Sequence, residues 1–539
     1  MSAGQDQTVA ELLGAVARQM AEVASEDWTR VRLSASAHEH GVGGPGLWID
    51  QADGGERSGG FLLLPELRQV SELDDSGADQ LAIEVSVDVR GGFEAFTSRA
   101  ISRDLGSDTG GLVYALRPGV RVPDPGDDED GPLDATQAGD PREAVEVLRR
   151  YLGKRAEISG QGTVDTGWDE GTAGALPEPL DAARIARLEG SVPVPLPDDL
   201  RALYAVANGD DAEGLLCGHD WFGLHHVVSL HSGPRWWAAG ETWRYHRLDR
   251  VRLDAGPLGA VRRSVDRPGW IPFTTDTGGN FLAVDMDPAA GGRPGQVIRV
   301  GRDYGEGAVH VAESVTALLR SQLEALERGS YTYDADSGHL WTEADLPDRH
   351  PEALGHFTTD AAAAALDEVQ TVRLRDERDT DLAPLRGARR LRRMALHQGV
   401  PVDLTPLRDI PVEALELGLH AADLAPLAGH PTLRTVKIRD ARPVELAPLR
   451  ECPKVYGLDL SGASVRDIEV VAEMKGLLYL SLRYEQWAEL WQRVDGLPGL
   501  AAAGLAEGLR PSGVAEWAGH FPSSGPGDDL RHYSGRWDA

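Results

Sequence analysis

Residues 192–211 read VPVPLPDDLRALYAVANGDD, and this stretch decides what kind of domain fills the middle of the chain. Pro197-Asp198-Asp199 predicts a helix start, because proline is tolerated in the first turn and carboxylates favour the positive end of the helix dipole. Leu200, Leu203, Tyr204 and Ala207 follow at helical spacing and make one buried stripe. Asn208-Gly209 ends the helix, both residues tolerating the left-handed conformation. Upstream, Ile185 and Leu188 mark a further short helix. Downstream the pattern turns strand-like, through Trp221 to Leu224, Trp270 to Phe273, Asp276 to Asn280, Leu282 to Pro288 and Gly295 to Ile298. A last helix runs from Ser314 to Arg328 and stops at Gly329. Helices bracketing short strands predict one α+β unit over 176–330, with Trp221 and Trp270 in or beside its core.

The ordered set P-D-D-L, Y, N-G, W-x-G-L, W-I-P-F, D-x-G-G-N, A-V-D-x-D-P and G-Q-V resembles the SUKH superfamily, of Smi–Knr type, over residues 175–332. The resemblance implies an α+β fold with a curved, mostly antiparallel sheet packed by helices. In bacteria it most often implies immunity proteins that bind and block toxin domains, and in fungi intracellular regulatory scaffolds. It carries no shared catalytic centre. Read alone, Asp276–Asn280 is a tight turn, and Asp285 and Asp287 share one strand face before Pro288. Acids so placed raise a metal or hydrolase reading, but no histidine or nucleophile accompanies them, and turn-building explains them better. Cys217, His219, His225, His226 and His231 come nearest to a metal set, yet Cys217-x-His219 is too tightly spaced for two side chains to wrap one zinc. Neither metal nor cofactor is expected. The polar insert from Pro234, PRWWAAGETWRYHR, carries Trp236, Trp237 and Trp243 among arginines. These aromatics either anchor a partner or pack under a lid.

Further along, Asp381-Leu-Ala-Pro-Leu385 recurs at 403, 423, 445 and, degenerate, at 467, so the starts differ by 22, 20, 22 and 22 residues (403−381, 423−403, 445−423, 467−445). A short strand precedes each copy: Val372/Leu374, Met394/Leu396, Leu415/Leu417, Val436/Ile438, Leu458/Leu460, and a last one at Leu480/Leu482. The pattern resembles leucine-rich repeats over 345–485, which implies a solenoid with its strands on the concave side. Residues between the core positions should face out, in one row of Arg373, Ala395, Glu416, Lys437, Asp459 and Ser481 and a second of Arg375, His397, Gly418, Arg439, Ser461 and Arg483. The second row holds no acid. Arg375, His397, Arg439 and Arg483, with Lys437 beside them, are therefore candidate partner-binding residues, with an acidic group expected opposite, on a partner or on this chain's own residues 124–130. Residues 486–539 read as a helical cap, WAELWQRVDGLPGLAAAGLAEGL, and a loose tail from Ser523.

At the other end, residues 1–123 alternate helix, strands, helix and strands. They begin with an amphipathic helix bearing Val9, Leu12, Leu13 and Val16, which predicts a small α+β domain. With Trp28 opening the first strand and Phe93-Glu94 in the last sheet, the order is similar to the YezG-like immunity family. Residues 124–174 read as an acidic linker with a short helix at Glu143–Leu152, and the GDDED run lacks the spacing of a calcium loop.

The chain of 539 residues carries 86 Asp+Glu against 54 Lys+Arg, a net charge of −32. Such a balance repels nucleic acid and anionic membrane and favours a basic protein partner. Residues 1–150 alone hold 28 acids and 13 Lys+Arg, a net of −15 (13 − 28), whereas 371–482 holds 17 Lys+Arg and 16 Asp+Glu. Two distant cysteines, no signal peptide and no long apolar run point to the cytoplasm. The expectation is a multidomain α+β immunity protein that occludes a basic toxin domain without catalysis. The alternative is an intracellular adaptor whose modules bind endogenous protein partners.

Overall fold

The computed structural model describes residues 3–536, except 25–26, 39–40, 61–64, 74–80, 105–110, 161–175, 234–241, 335–338, 343–346, 348–357, 376–379, 399–400, 440–441, 498 and 522–529. The N-terminal part is an antiparallel sheet of β1 (Trp28–His38), β2 (Gly41–Gln51), β3 (Glu56–Gly60), β4 (Leu81–Asp88) and β5 (Gly92–Ser98). Its alternation sends Val31, Leu33, Ile83 and Val85 towards α1 (Ala3–Val23) and α2 (Pro65–Leu73), whose Leu13, Val16, Met20 and Leu67 complete that core. Arg30, Arg32, Glu84 and Ser86 therefore point to the opposite face. The sixth strand comes from the far end of the chain: Arg531–Arg536 pairs with β5, Tyr533 opposite Ala95. The tail read as loose is thus tied down wherever it is described.

In the central part, β9 (Trp270–Pro272), β11 (Asn280–Asp285), β12 (Gln296–Gly301) and β13 (Val309–Ala312) form a four-stranded antiparallel sheet. The short strands β8 (Asp220–Trp221) and β10 (Thr274–Thr275) pair beside it, and β14 (Tyr331–Tyr333) with β15 (Leu340–Thr342) makes a hairpin. Around them lie α3 (Pro141–Ser159), α4 (Ala182–Glu189), α5 (Asp198–Tyr204), α6 (Leu224–Ser232) and α7 (Val315–Arg328). Trp221 and Trp270 are both buried. The helix expected at Glu143–Leu152 is longer, starting under an Asp140 cap. Its Ala144, Val147, Leu148 and Tyr151 sit in the central core, so residues 141–159 belong to that domain and not to a linker.

The C-terminal part stacks parallel strands β16 (Thr371–Arg375), β17 (Arg393–Gln398), β18 (Ala414–Leu419), β19 (Thr435–Ile438), β20 (Gly457–Asp459), β21 (Tyr479–Leu482) and β22 (Ala502–Leu505). The paired apolar positions, from Val372/Leu374 to Leu480/Leu482, are at most 2% exposed. Each D-L-x-P-L copy makes a 3₁₀ turn. Asp381, Asp403 and Asp423 accept from the backbone amide two residues on, at 2.8–2.9 Å. The fourth copy begins with Glu445, and there Asp467, from the next copy, accepts from Leu446 and Ala447. The degenerate fifth copy thus supplies the cap that the fourth lacks.

Residues 502–505, read from sequence as capping helix, are a strand. β22 continues the sheet, and the hairpin of β6 (Ile101–Arg103) and β7 (Leu112–Ala115) adds to it antiparallel, Ala502 opposite Ala115. Phe96, Ile101, Leu112, Tyr114 and Leu116 accordingly lie in the core of the C-terminal part. The cap is finished by α8 (Thr359–Ala364) at one end and by α9 (Tyr484–Arg493) and α10 (Pro511–Ala518) at the other. No boundary falls cleanly at 123. Among the described residues no helix is long and apolar enough to cross a membrane.

Candidate partner-binding surface

The outward rows of the parallel strands fall in the register expected from the spacing: Arg373, Ala395, Glu416, Lys437, Asp459 and Ser481 are successive neighbours, as are Arg375, His397 and Gly418. A further row, one alternation earlier, comprises Thr371, Arg393, Ala414, Thr435, Gly457, Tyr479 and Ala502. The chain itself covers this row. Trp243, 1% exposed, lies among Val113, Ala115, Tyr456, Tyr479 and Ala502. Its ring stacks at 9° to Tyr479, and its Nε1 donates to Val120 O at 2.5 Å. The segment that follows continues along the row. Leu248 O accepts from Thr435, Asp249 pairs with Arg393 at 2.7 Å, Val251 and Leu253 pack on Ala414, and Asp254 exchanges two backbone–side-chain hydrogen bonds with Gln370.

The acidic segment 124–130 is also engaged. Asp124 caps a 3₁₀ turn at Pro125–Asp128, and Asp128 pairs with Arg434 and Lys454. Arg263 bridges Glu129 and Glu413, each at 2.6 Å. Burial works against its charge, and Glu413 and Glu129 outweigh burial and raise its pKa. Arg267 pairs with Asp127 and Asp287. The segment is therefore a clamp between the central and C-terminal parts. Its carboxylates meet Arg263, Arg267, Arg434 and Lys454, not the row of Arg375 and Arg439.

Of the candidate residues, Trp243 is an internal anchor and is closed to any partner. Trp236 and Trp237 lie outside the described residues. Lys437 pairs with Asp459 at 3.5 Å. His397 approaches Glu416, an acid of the adjacent row, at 3.7 Å. Burial first, then Arg375, Arg439 and Lys437, lowers its pKa, so it adds little charge near neutral pH. Nor does Gly418 leave a gap. A Cβ there would lie 2.5 Å from the His397 ring, which occupies that space. Arg483 is half-buried at the start of α9, its amide donating to Gln486. Arg373, Arg375 and Arg439 are exposed. Of the expected second row, Arg375 and Arg439 are the exposed cations, with Arg373 exposed in the adjacent row.

The polar motif residues of the central domain are consumed internally. Asp199 accepts from the Thr316 amide and hydroxyl, fixing the start of α7. Asp210 accepts from Leu215 and Trp221, and Asn208 from Leu224. Asp276 holds the Gly278 and Asn280 amides. Asp285, with no solvent exposure, accepts from Gln296 Nε2 and from the Asp287 amide. Burial is the main reason its pKa is pushed up to about 7. His219 faces the Cys217 carbonyl. Among the described residues no three His, Cys, Asp or Glu side chains gather as a metal site.

Residues 179–321 match the SMI1 / KNR4 family (SUKH-1). The chain is 39% identical over 92 residues to a KNR4/SMI1 homolog of Yarrowia lipolytica, covering 17% of this chain and 13% of that one. It is 38% identical over 100 residues to the glucan synthesis regulatory protein of Neurospora crassa, covering 19% and 18%. It is 33% identical over 212 residues to the cell wall assembly regulator SMI1 of Saccharomyces cerevisiae, covering 33% and 42%. The chain thus spans less than half the length of these relatives, the last two of which are named as regulators. Among solved structures, internalin C2 of Listeria monocytogenes aligns over 34% of this chain and 91% of that one, at 19% identity and a TM-score of 0.20.

Proposed function

We propose that this chain is a non-catalytic regulatory scaffold, in which a SUKH-1 domain and a leucine-rich-repeat solenoid form one body and recruit a protein partner through an acidic segment. One observation carries the reading. The polar signature residues of the central domain are bound up in internal hydrogen bonds, while Arg373, Arg375 and Arg439 stand exposed on the outward face of the parallel strands. Arginine forks suit carboxylates held in two-point contact. The regulator names of the relatives support the scaffold over the toxin-immunity reading. We take the chain to be cytoplasmic.

The immunity reading rested on the SUKH resemblance, with the surplus acid adding a basic toxin as its partner. It loses ground because Asp127, Asp128 and Glu129 are engaged within the chain. The helix and strand order of residues 1–123 still fits a YezG-like module. The two readings separate by crosslinking in the native host. A regulatory scaffold captures endogenous proteins through an acidic segment and loses them in an Arg375→Glu, Arg439→Glu double variant. Capture of a basic toxin domain, retained by the variant, would replace the proposal with the immunity reading.

A further inference from the structure

A cleft of about 280 Å³ lies where the N-terminal sheet meets the cap of the C-terminal part. At about 30 Å³ per water it holds roughly nine waters, small for a ligand pocket but ample for a phosphate and a few carbons. Its floor is the sheet face turned away from α1 and α2. Arg30 and Arg32 come from β1, Trp48 and Asp50 from β2, Glu84 and Ser86 from β4. Arg103 of β6 and Arg510, at the start of α10, line it as well.

Four guanidiniums on one small cleft must be accounted for. Arg32 is neutralised, pairing with Asp50 at 2.8 Å and with Glu56. Glu94 is occupied by the Ser512 amide and hydroxyl. Glu84 accepts from Ser34, and burial pushes its pKa up to about 7, which leaves it a weak counter-charge at neutral pH. Arg103 lies over the Trp48 ring at 3.9 Å, which fixes its plane and leaves its edge free to donate. Among the described residues no carboxylate is in ion-pair contact with Arg30, Arg103 or Arg510. Like charges converging on a cavity repel unless something anionic lies between them.

We infer that this cleft binds a small phosphate-bearing molecule, held between Arg30, Arg103 and Arg510. Phosphate suits the cleft better than carboxylate. Three guanidinium forks outnumber the two oxygens of a carboxylate, whereas a phosphoryl group offers three. Because the cleft joins the N-terminal sheet to the C-terminal cap, the ligand would also tie those parts together. This assignment is independent of the protein partner proposed above, since that outward face lies on other residues.

The test is isothermal titration of the full chain with inorganic phosphate, glycerol phosphate and malonate. Arg510→Gln and Arg30→Gln are the cleft variants, and Arg439→Gln is the control on the outward face. Expected is one saturable phosphate site, shared by glycerol phosphate, weaker for malonate and unchanged in Arg439→Gln. Loss of one charge-assisted contact should weaken it roughly tenfold or more in Arg510→Gln or Arg30→Gln. Arg510 is exposed, so its replacement tests binding without testing the fold. The inference is overturned if phosphate shows no saturable binding at millimolar concentration, or if both cleft variants bind as wild type does. Equal loss in Arg439→Gln, or malonate binding as tightly as phosphate, overturns it as well.

Discussion

Trp243→Ala should uncouple the three parts of this chain. The indole, from the central part, is 1% exposed, and its neighbours are Val113 and Ala115 of β7, from the N-terminal stretch, and Tyr456, Tyr479 of β21 and Ala501-Ala502 at β22, from the C-terminal part. Truncating a fully buried tryptophan costs about 3–5 kcal/mol. Losing the Nε1 bond strands the Val120 carbonyl at about 1 kcal/mol more, unless water reaches it. A total near 5 kcal/mol corresponds to roughly five-thousandfold in an opening equilibrium. Native-state hydrogen exchange reads this locally, which suits a chain of several parts better than one global melt. The amides of Ala115 and Arg117, bonded to the Ala100 and Ala501 carbonyls, should exchange up to that much faster, as should Tyr479, bonded to Tyr456 O. Amides of the central sheet, such as Leu282, should keep their protection. If acceleration stops at the neighbours of residue 243 in sequence, Trp243 does not hold the parts together and the argument fails.

Three further outcomes follow from the same geometry. Glu413→Ala leaves the largely buried Arg263 with Glu129 alone, and should cost about 3 kcal/mol in urea unfolding. An unchanged midpoint would show that the bridge adds nothing. Asp285 has its pKa raised from 3.8 to about 7, so its contribution to stability is complete below pH 4 and is lost as pH climbs through 7. Over that window the loss is at most ~4 kcal/mol. Asp285→Asn adds a mismatched donor at every pH but removes the titration, so its deficit relative to wild type should shrink between pH 4 and pH 8; a constant deficit would refute this. The Arg375→Glu, Arg439→Glu pair should leave thermal stability within about 0.5 kcal/mol, since both side chains are exposed. Heavy destabilisation would mean that the outward row is misassigned.

What could be read in advance was local. The D-L-x-P-L copies declare themselves because the aspartate, the proline and both leucines act within one turn, and the strand before each copy needs only period two. The turn at Asp276–Asn280 was legible for the same reason, as Asp276 bonds amides two and four residues away. Pairing across the chain was hidden. Residues 499–505, GLAAAGL, favour a helix by propensity, but the open edge of β21 and the apolar face of β7 impose a strand. Trp243 could be read as a partner anchor or as packing under a lid because its sequence neighbours are polar; the strands that bury it lie more than a hundred residues away. The acidic run 124–130 looked solvated for want of adjacent partners. One signal was available, the basic cluster Arg262, Arg263 and Arg267 in the central domain, which binds that run.

The hairpin of β6 and β7 also sets a clock. Its partner strand begins at Ala502, which leaves the ribosome 387 residues after Ala115 (502 − 115). At about 5–20 residues per second, that is roughly 20–80 s of synthesis. For that time the hairpin presents an unpaired edge, and β5 waits longer still for Arg531–Arg536. An open apolar edge recruits other chains. The first hundred residues are therefore born adhesive, and chaperone demand should fall sharply once residue 536 has been made.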